Sequence, residues 1–235
     1  MRTPFNRVAG SSTIVLGIVG GIGSGKSYTT AEFVAQGAER YDADQEAKRL
    51  YEDPSILEKV ISFWPSVVDS SAGIDFQALA KIVFAPTAEG RKELERLNRL
   101  IRPRLFENFS LWLSQKEEEG KEFVVLDAPL LFEAGWETFV DFVVFVDASE
   151  KTRLRRVAQR GWQPDELKKR ESRQLDAVVK KKKADFIVSA EQDDSHMAEQ
   201  VAGILHEIRR RAPKRTVPSI AEEDSSVDAC NRPTM

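Results

Sequence analysis

Short apolar runs bounded by glycine or aspartate recur along the chain and predict buried strands. These runs cover residues 14–19, 123–127, 142–147 and 185–189, with a weaker candidate at 40–42. Helical periodicity follows three of the predicted strands, at residues 26–36, 149–160 and 195–210. Because strands that alternate with helices build parallel sheets covered on both faces, we expect an α/β fold with a five-stranded parallel sheet flanked by helices.

The stretch between the second and third predicted strands has a helical pattern and no strong strand. Its breaks fall at proline or glycine, namely Pro54, Pro65, Gly73, Pro86 and Pro103. We therefore expect a core of residues 14–43 and 120–211, interrupted by an α-helical insertion at 44–119. Residues 1–13 and 212–235 are expected to be a disordered lead-in and a disordered tail.

A glycine-rich segment directly follows the first predicted strand and leads into a helix. Its sequence, from Gly20 to Ser27, is GGIGSGKS and fits G-x-x-x-x-G-K-[ST] in full. Glycine allows the backbone to curl so that N–H groups surround phosphate oxygens, and the helix N-terminus adds positive potential. The motif predicts a P-loop NTPase and disfavours a dinucleotide-binding dehydrogenase, whose G-x-G-x-x-G spacing is not matched. The residues expected to bind ATP here are Gly21, Ile22, Gly23, Ser24, Gly25, Lys26, Ser27 and Tyr28.

Carboxylates end two of the predicted strands, at the sheet edge where ligands bind in such folds. Asp127 follows four apolar residues, and we expect Asp127 and the Ser27 hydroxyl to hold Mg²⁺. Asp42 and Asp44 follow the second strand. One of them is expected to cap the next helix, while the other orients a hydroxyl and accepts its proton. The spacing does not decide which aspartate has which role.

Basic residues are concentrated in one region of a chain whose net charge is −3. Residues 151–183 contain thirteen Lys or Arg against four Asp or Glu, which indicates a polyanionic ligand. Arg153, Arg156 and Arg160 share one helix face. We expect a short lid at about residues 153–170 that carries arginines to the phosphates and excludes water. Lys180 to Lys183 are interpreted as a solvated helix face.

The composition excludes several other classes of protein. A single cysteine, Cys230, excludes an internal disulfide framework, and no run approaches the roughly 18 apolar residues of a membrane span. The first twelve residues lack the apolar stretch of a secretory signal, so we expect a cytoplasmic protein. The basic block contains a single aromatic residue, Trp162, and no recognised nucleic-acid module, and we therefore expect no nucleic-acid partner and no membrane partner. A monomer is expected.

Several motifs together resemble bacterial dephospho-coenzyme A kinases over about residues 14–202. The matching segments are 17–27, Asp-Ala-Asp at 42–44, Asp-Ala-Pro-Leu-Leu-Phe-Glu at 127–133, Arg156 with Arg160, Arg170-x-x-x-Gln174 and Ala-Asp-Phe-Ile-Val at 184–188. Many kinases share the glycine loop. The pairing of Asp-Ala-Asp with a distant Pro-Leu-Leu-Phe-Glu is far more specific to this family.

The resemblance implies transfer of the ATP γ-phosphate, with Mg²⁺, to the ribose 3′-hydroxyl of dephospho-coenzyme A. It implies Asp44 as the general base, with Lys26 and Arg156 as further catalytic residues and Arg160 as an ATP-binding residue of the lid. The implied acceptor-binding residues are Asp44, Lys48, Arg102, Pro129, Leu130 and Leu131. The chain departs from the family pattern at Arg102 (usually histidine), at Lys48 (usually arginine) and at Ser189 (usually asparagine).

Two alternatives remain open from the sequence. One is another small-molecule P-loop kinase, such as a nucleoside or shikimate kinase, against which the segment 129–133 argues. The other is a nucleotide-binding switch or a catalytically silent nucleotide-binding protein, and the three departures add some weight to the silent protein. A GTPase is disfavoured because the guanine-reading Asn-Lys-x-Asp is absent from the sequence.

Overall fold

The structure, a computed structural model, describes residues 13–69, 73–172, 174–191 and 194–211. The predicted tail, Cys230 and the predicted lead-in apart from Thr13 lie outside these ranges. Among the residues so described, none of the helices combines the length and the hydropathy that crossing a membrane requires.

Five strands form one parallel sheet, as the alternating pattern predicts. They are β1 (Ile14–Gly20), β2 (Glu39–Asp42), β3 (Phe123–Asp127), β4 (Phe142–Asp147) and β5 (Phe186–Ser189). Their order across the sheet is β2-β3-β1-β4-β5, and every neighbouring pair is parallel. Strand β3 is buried at every position, which explains its unbroken apolar sequence up to Asp127.

Helices cover both faces of the sheet. In chain order they are α1 (Lys26–Ala35), α2 (Ala43–Arg49), α3 (Pro54–Phe63), α4 (Phe76–Val83), α5 (Ala88–Glu118), α6 (Glu150–Ala158), α7 (Pro164–Glu171), α8 (Ala177–Lys183) and α9 (Asp194–Arg211). One face packs against α1 and α9, where Phe33 and Ile208 are fully buried. The other face packs against the long helix α5 through an aromatic cluster that contains Tyr41, Phe109 and Trp136.

The segment 44–119 is helical, and its buried residues join the core of the sheet. Val60 of α3 and Leu79 of α4 belong to the same buried cluster as Val15 of β1 and Val124 of β3. The strand pairing of the described part of this segment is limited to a single bridge between Val68 and Ile74. The described part of this segment is therefore helical, and it shares a hydrophobic core with the sheet.

The predicted break at Pro103 is wrong, because α5 continues through this residue. A proline inside a helix frees the carbonyl four residues earlier, here that of Arg99. Pro103 is exposed, so the freed carbonyl can be hydrated. On the opposite side of the helix Leu97, Ile101 and Leu105 are buried, and their burial keeps α5 continuous.

Candidate active site

The carboxyl ends of β1, β2 and β3 lie side by side, which brings the three predicted motifs to one edge of the sheet. Asp42 of β2 stands in register with Asp127 of β3, and β3 is also the neighbour of β1. The glycine loop continues from β1 at this edge. Asp42 and Asp127 are more than eighty residues apart in sequence, and the strand order alone brings them together.

The glycine loop has a backbone path that other residues would find costly. Gly23 and Gly25 have φ angles of 76° and 106°, in the left-handed region. A Cβ on Gly23 would lie 2.9 Å from the Arg153 carbonyl oxygen, and a Cβ on Gly21 would lie 2.9 Å from an Arg153 Nη1 atom. The loop is therefore packed tightly against α6, and glycine is needed for contact as well as for conformation.

Lys26, the first residue of α1, folds back over the loop. Its Nζ donates to the carbonyl oxygens of Gly20 and Gly21 at 3.0 and 2.9 Å. Burial is the main cause that lowers the pKa of Lys26 to about 8, followed by the charge of Lys180, while Asp127 raises it. Positive charges of Arg160 and Arg153 lower it further. A group of cations thus converges where an anionic ligand would neutralise their repulsion.

The residues predicted to hold Mg²⁺ fit the way proteins bind this ion. Mg²⁺ takes one or two protein oxygens and completes its shell with water and substrate phosphates. Ser27 is exposed in the first turn of α1, and Asp127 is buried at the end of β3. Within the described parts of the chain no cluster of three or more His, Cys, Asp or Glu could hold a metal. The Ser27 hydroxyl and the Asp127 carboxylate are oxygen ligands of the kind that Mg²⁺ takes from a protein.

Asp127 has a partner that the sequence analysis missed. Its Oδ2 accepts hydrogen bonds from Nε and Nη2 of Arg40, at 3.1 and 2.7 Å. The same Nη2 donates to Asp42 Oδ2 at 2.7 Å. Arg40 lies on β2 two residues before Asp42, and its pairing with Asp127 follows from the β2–β3 register. This arginine fixes one oxygen of Asp127.

The two aspartates after β2 have different environments. Asp42 caps α2, since its Oδ1 accepts from the backbone N–H of Gln45 at 2.9 Å. Asp44 lies two residues further on, in the first turn of α2, and the described residues give its carboxylate no hydrogen bond. Partial burial raises the pKa of Asp44, as do the charges of Asp42 and Asp127, whereas Lys48 lowers it. The geometry assigns the capping role to Asp42 and leaves Asp44 free.

The arginines of the predicted lid do not all face the same way. Arg156 donates to the carbonyl oxygens of Ser24 and Ala190, at 2.8 and 2.7 Å, and so links the loop to the end of β5. Arg160 is exposed, and within the described chain its guanidinium has no ion-pair partner. Arg153 forms an ion pair with Glu171 of α7. In this arrangement Arg156 braces the loop backbone, while Arg153 and Arg160 supply charge near Lys26.

Helices α6 and α7 form a helical hairpin within the region predicted to be a lid. Gly161, with a φ of 77°, lies between them, and Pro164 is the first residue of α7. Arg170 of α7 lies over the ring of Trp162 at 4.2 Å. The hairpin is thus tied together by the Arg153–Glu171 pair and by this cation–π contact. Whether it closes over a nucleotide stays a prediction.

The predicted acceptor residues after β3 differ in exposure. Leu130 is 41% exposed and Pro129 is half-buried, but Leu131 is fully buried in the core. A Cβ on Gly17 of β1 would lie 2.5 Å from Leu131 Cδ1, which shows how closely this side chain packs on the sheet. The buried side chain of Leu131 anchors the segment that presents Pro129 and Leu130, and a contact of Leu131 with the acceptor stays a prediction.

An open groove on α5 contains the predicted acceptor residue Arg102. It is lined by Glu95, Asn98, Arg99, Arg102 and Pro103, which share one helix face. Arg102 Nη2 lies 3.4 Å from the carbonyl oxygen of Glu133, and its buried Nε has no partner. Arg99 adds a second guanidinium that the sequence analysis did not single out. The groove therefore presents two positive charges and the negative charge of Glu95 close to the segment that follows β3.

Lys180 corrects the interpretation of the four consecutive lysines. Lys181, Lys182 and Lys183 are exposed, as a solvated face requires, but the Lys180 side chain is only 2% exposed. Its Nζ lies 2.9 Å from Glu133 Oε1. The sequence could not indicate this difference in burial, because the four residues are identical. The i, i+3, i+4 geometry turns one lysine of four toward the sheet.

The fold and the site together define the class of this protein, which is a P-loop kinase. Its chain belongs to the dephospho-CoA kinase family, whose sequence model matches residues 14–196.

Known proteins similar to this chain support the assignment. A dephospho-CoA kinase of Nitrobacter winogradskyi is 34% identical over 203 residues, which cover 86% of this chain and 96% of the relative. One of Fusobacterium nucleatum is 34% identical over 179 residues, or 75% and 89% of the two chains. A crystal structure of a Thermus thermophilus protein superposes with a TM-score of 0.73 at 30% identity, covering 83% of this chain and 98% of that one. A Campylobacter jejuni dephospho-CoA kinase superposes with a TM-score of 0.60 at 27% identity, covering 85% and 98%.

Proposed function

We propose that the protein transfers the γ-phosphate of ATP to the ribose 3′-hydroxyl of dephospho-coenzyme A, giving coenzyme A and ADP. The observation that carries the proposal is Asp44, a carboxylate without a hydrogen bond among the described residues, at the sheet edge that holds the glycine loop. Phosphoryl transfer needs a group that orients the attacking hydroxyl and accepts its proton. Membership of the dephospho-CoA kinase family identifies the acceptor.

The nucleotide is held by the loop from Gly21 to Ser27. Its backbone N–H groups and the N-terminus of α1 surround the phosphates, and Lys26 leaves its carbonyl partners to reach the β- and γ-phosphates. Tyr28 lies on α1, and Arg160 lies in the turn that follows α6. Arg156 keeps the loop in shape through its bonds to the backbone, so its part in catalysis is to brace the ATP site.

Mg²⁺ would be held by the Ser27 hydroxyl and, through water, by Asp127. When bound it supplies positive charge to the β- and γ-phosphate oxygens. Arg40 holds Oδ2 of Asp127 and leaves Oδ1 available for such a water. The protein itself thus holds one oxygen of Asp127 in place and leaves the other available.

The acceptor is positioned by the insertion and by the segment after β3. Arg102 and Arg99 present positive charge in the α5 groove, which suits the anionic phosphates of dephospho-coenzyme A. Pro129 and Leu130 offer partly exposed apolar surface after β3. Asp44 receives the proton of the 3′-hydroxyl, while Lys48, one helical turn away, favours the ionised carboxylate that can accept it.

Three coarser expectations belong to the same proposal. The protein works as a monomer in the cytoplasm, without a nucleic-acid partner. The support is that the charged groups around Lys26 gather at a small-molecule site. No step above requires a second copy.

A substrate panel tests the proposed function. ADP release is measured with dephospho-coenzyme A, adenosine, a set of nucleosides and shikimate as acceptors, each at matched concentration with ATP and Mg²⁺. We expect turnover with dephospho-coenzyme A to exceed that with every other acceptor by at least about a hundredfold, and the product to carry its new phosphate on the 3′-oxygen. Preferred turnover of a nucleoside or of shikimate, or binding of ATP without any transfer, would overturn the proposal.

A further inference from the structure

Arg40 of the edge strand β2 holds two carboxylates of the site at once. Its Nε and Nη2 donate to Oδ2 of Asp127 at 3.1 and 2.7 Å, and the same Nη2 donates to Oδ2 of Asp42 at 2.7 Å. Asp42 is fixed in turn, because its Oδ1 accepts from the backbone N–H of Gln45. The guanidinium is therefore anchored at the start of α2 and reaches across to the end of β3.

The strand register explains this contact. Arg40 of β2 lies opposite Val125 of β3, and Asp42 lies opposite Asp127. Side chains two positions apart in a strand point to the same face, so Arg40, Asp42 and Asp127 share one face of the sheet. An arginine is long enough to reach its diagonal neighbour on the next strand. The sheet itself thus places Arg40 against Asp127, without support from a loop.

The two partners of this ion pair differ in exposure. The side chain of Arg40 is 43% exposed, whereas that of Asp127 is 10% exposed. Because solvent screens an exposed cation, we expect the pair to contribute little to folding stability. Its effect on Asp127 is larger, since two N–H groups occupy Oδ2 and a positive charge lies beside a proposed Mg²⁺ ligand. A fixed carboxylate gives a bound ion one defined position, and a neighbouring positive charge weakens the attraction of that ion.

We propose that Arg40 is a positioning residue of the metal site, which orients the free oxygen of Asp127 and also limits how strongly the site attracts Mg²⁺. The inference rests on the proposed kinase function. The two effects come from different properties of the side chain: the orientation comes from the planar fork of N–H donors, and the limited attraction comes from the charge. Removal of Arg40 should therefore lower kcat and strengthen Mg²⁺ binding, a combination that damage to the fold does not produce.

Calorimetry of ADP binding, with and without Mg²⁺, tests the effect on the ion and needs no acceptor. The quantity compared is the factor by which Mg²⁺ raises the affinity for ADP. We expect this factor to be about threefold to tenfold larger in Arg40→Met than in the wild type, because a repelling charge is removed. Arg40→Lys keeps the charge and should keep the factor within about twofold of the wild type. An unchanged or smaller factor in Arg40→Met would overturn the proposal.

Turnover tests the effect of the fork. We expect kcat to fall at least about tenfold in Arg40→Met and also in Arg40→Lys, because neither side chain donates two hydrogen bonds to Oδ2 from one plane. The matched control is Arg209→Met, since Arg209 also donates through Nε and Nη2 to a carboxylate, that of Glu122, at 2.7 and 2.8 Å. This second pair is similarly exposed and lies just before β3, at the opposite end of that strand from Asp127. Arg209→Met should leave kcat within about twofold of the wild type. A kcat in Arg40→Lys equal to that of the wild type would overturn the role of the fork.

A double variant shows whether Arg40 acts through Asp127. Asp127→Asn removes the negative charge that Arg40 pairs with, and it lowers kcat by itself because it alters the metal ligand. If Arg40 acts through Asp127, adding Arg40→Met to Asp127→Asn should lower kcat by less than about twofold further. Equal losses from Arg40→Met in the two backgrounds would place its action elsewhere and overturn the proposal. Absence of wild-type turnover with dephospho-coenzyme A would instead overturn the proposed function, and the calorimetric comparison would still decide the role of Arg40.

Discussion

Two aspartates two residues apart show how a residue's role depends on its surroundings more than on its type. Asp42 caps the N-terminus of α2 through Oδ1 and accepts a hydrogen bond from Arg40 through Oδ2, so both of its oxygens have partners. Asp44 lies within the first turn of α2, close to the negative charges of Asp42 and Asp127. These charges raise its pKa, and a raised pKa makes a carboxylate a better proton acceptor once it is ionised.

Lys48 provides a way to shift the pKa of Asp44 without removing the carboxylate. Its positive charge lowers that pKa, so Lys48→Met should raise it further. A base works only when ionised, so turnover is lost as the pH falls through the pKa of Asp44. We therefore expect the acid limb of the kcat/KM profile to move to higher pH in Lys48→Met, measured between about pH 5 and 9.

The matched variant for this experiment is Lys48→Arg, which keeps the charge and should keep the limb where the wild type has it. A limb that stays in place in Lys48→Met, or moves to lower pH, would contradict the electrostatic link between Lys48 and Asp44.

At the scale of the element, the glycine loop and α6 form a single packed unit. The Arg153 carbonyl oxygen and Val157 Cγ1 would lie 2.9 and 3.0 Å from a Cβ on Gly23. Arg156 adds hydrogen bonds to the same loop. Helix α6 therefore supports the loop by direct contact and also places positive charge near it. The conformation of the loop depends on the position of α6.

Gly23→Ala tests this dependence, with Gly37→Ala as its control. Both glycines have positive φ, 76° and 97°, so each alanine should cost about 1–2 kcal/mol of folding free energy through backbone strain. A Cβ on Gly37 has no atom within 4 Å, whereas one on Gly23 displaces α6. We expect ATP affinity, measured by calorimetry, to fall by more than about tenfold in Gly23→Ala only.

Equal loss of ATP affinity in the two alanine variants would show that strain anywhere in the fold is enough, and that contact between the loop and α6 is irrelevant. Thermal unfolding of both proteins, measured in parallel, provides the comparison of strain.

Whole-molecule features explain which parts of the site the sequence could reveal. The strands and the loop are local patterns: β1 and β3 are buried along nearly their whole length, and the glycines are required by their own φ angles. Their positions could therefore be predicted from spacing and hydropathy. The continuation of α5 through Pro103 could not, because it depends on core burial along the opposite face.

Side-chain contacts across the sheet could not be predicted from the sequence, for a different reason. Arg40 and Asp127 are 87 residues apart and meet only through the strand order, and Lys180 meets Glu133 through the packing of α8. Leu131 looked like its neighbour Leu130, yet only the tertiary structure buries it. Residues whose role depends on such long-range contacts carry no periodic signal.

The strand order holds Asp44 within reach of a nucleotide bound by the glycine loop. The role of Asp44 as the base therefore depends on the fold of the whole molecule. The most direct test is turnover of Asp44→Asn with dephospho-coenzyme A, together with its ATP affinity, and with Asp42→Asn as the control that keeps a capping side chain. The account predicts a kcat about 10²–10⁴-fold below the wild type in Asp44→Asn, unchanged ATP affinity, and a far smaller loss in Asp42→Asn. A kcat in Asp44→Asn within about threefold of the wild type would contradict it.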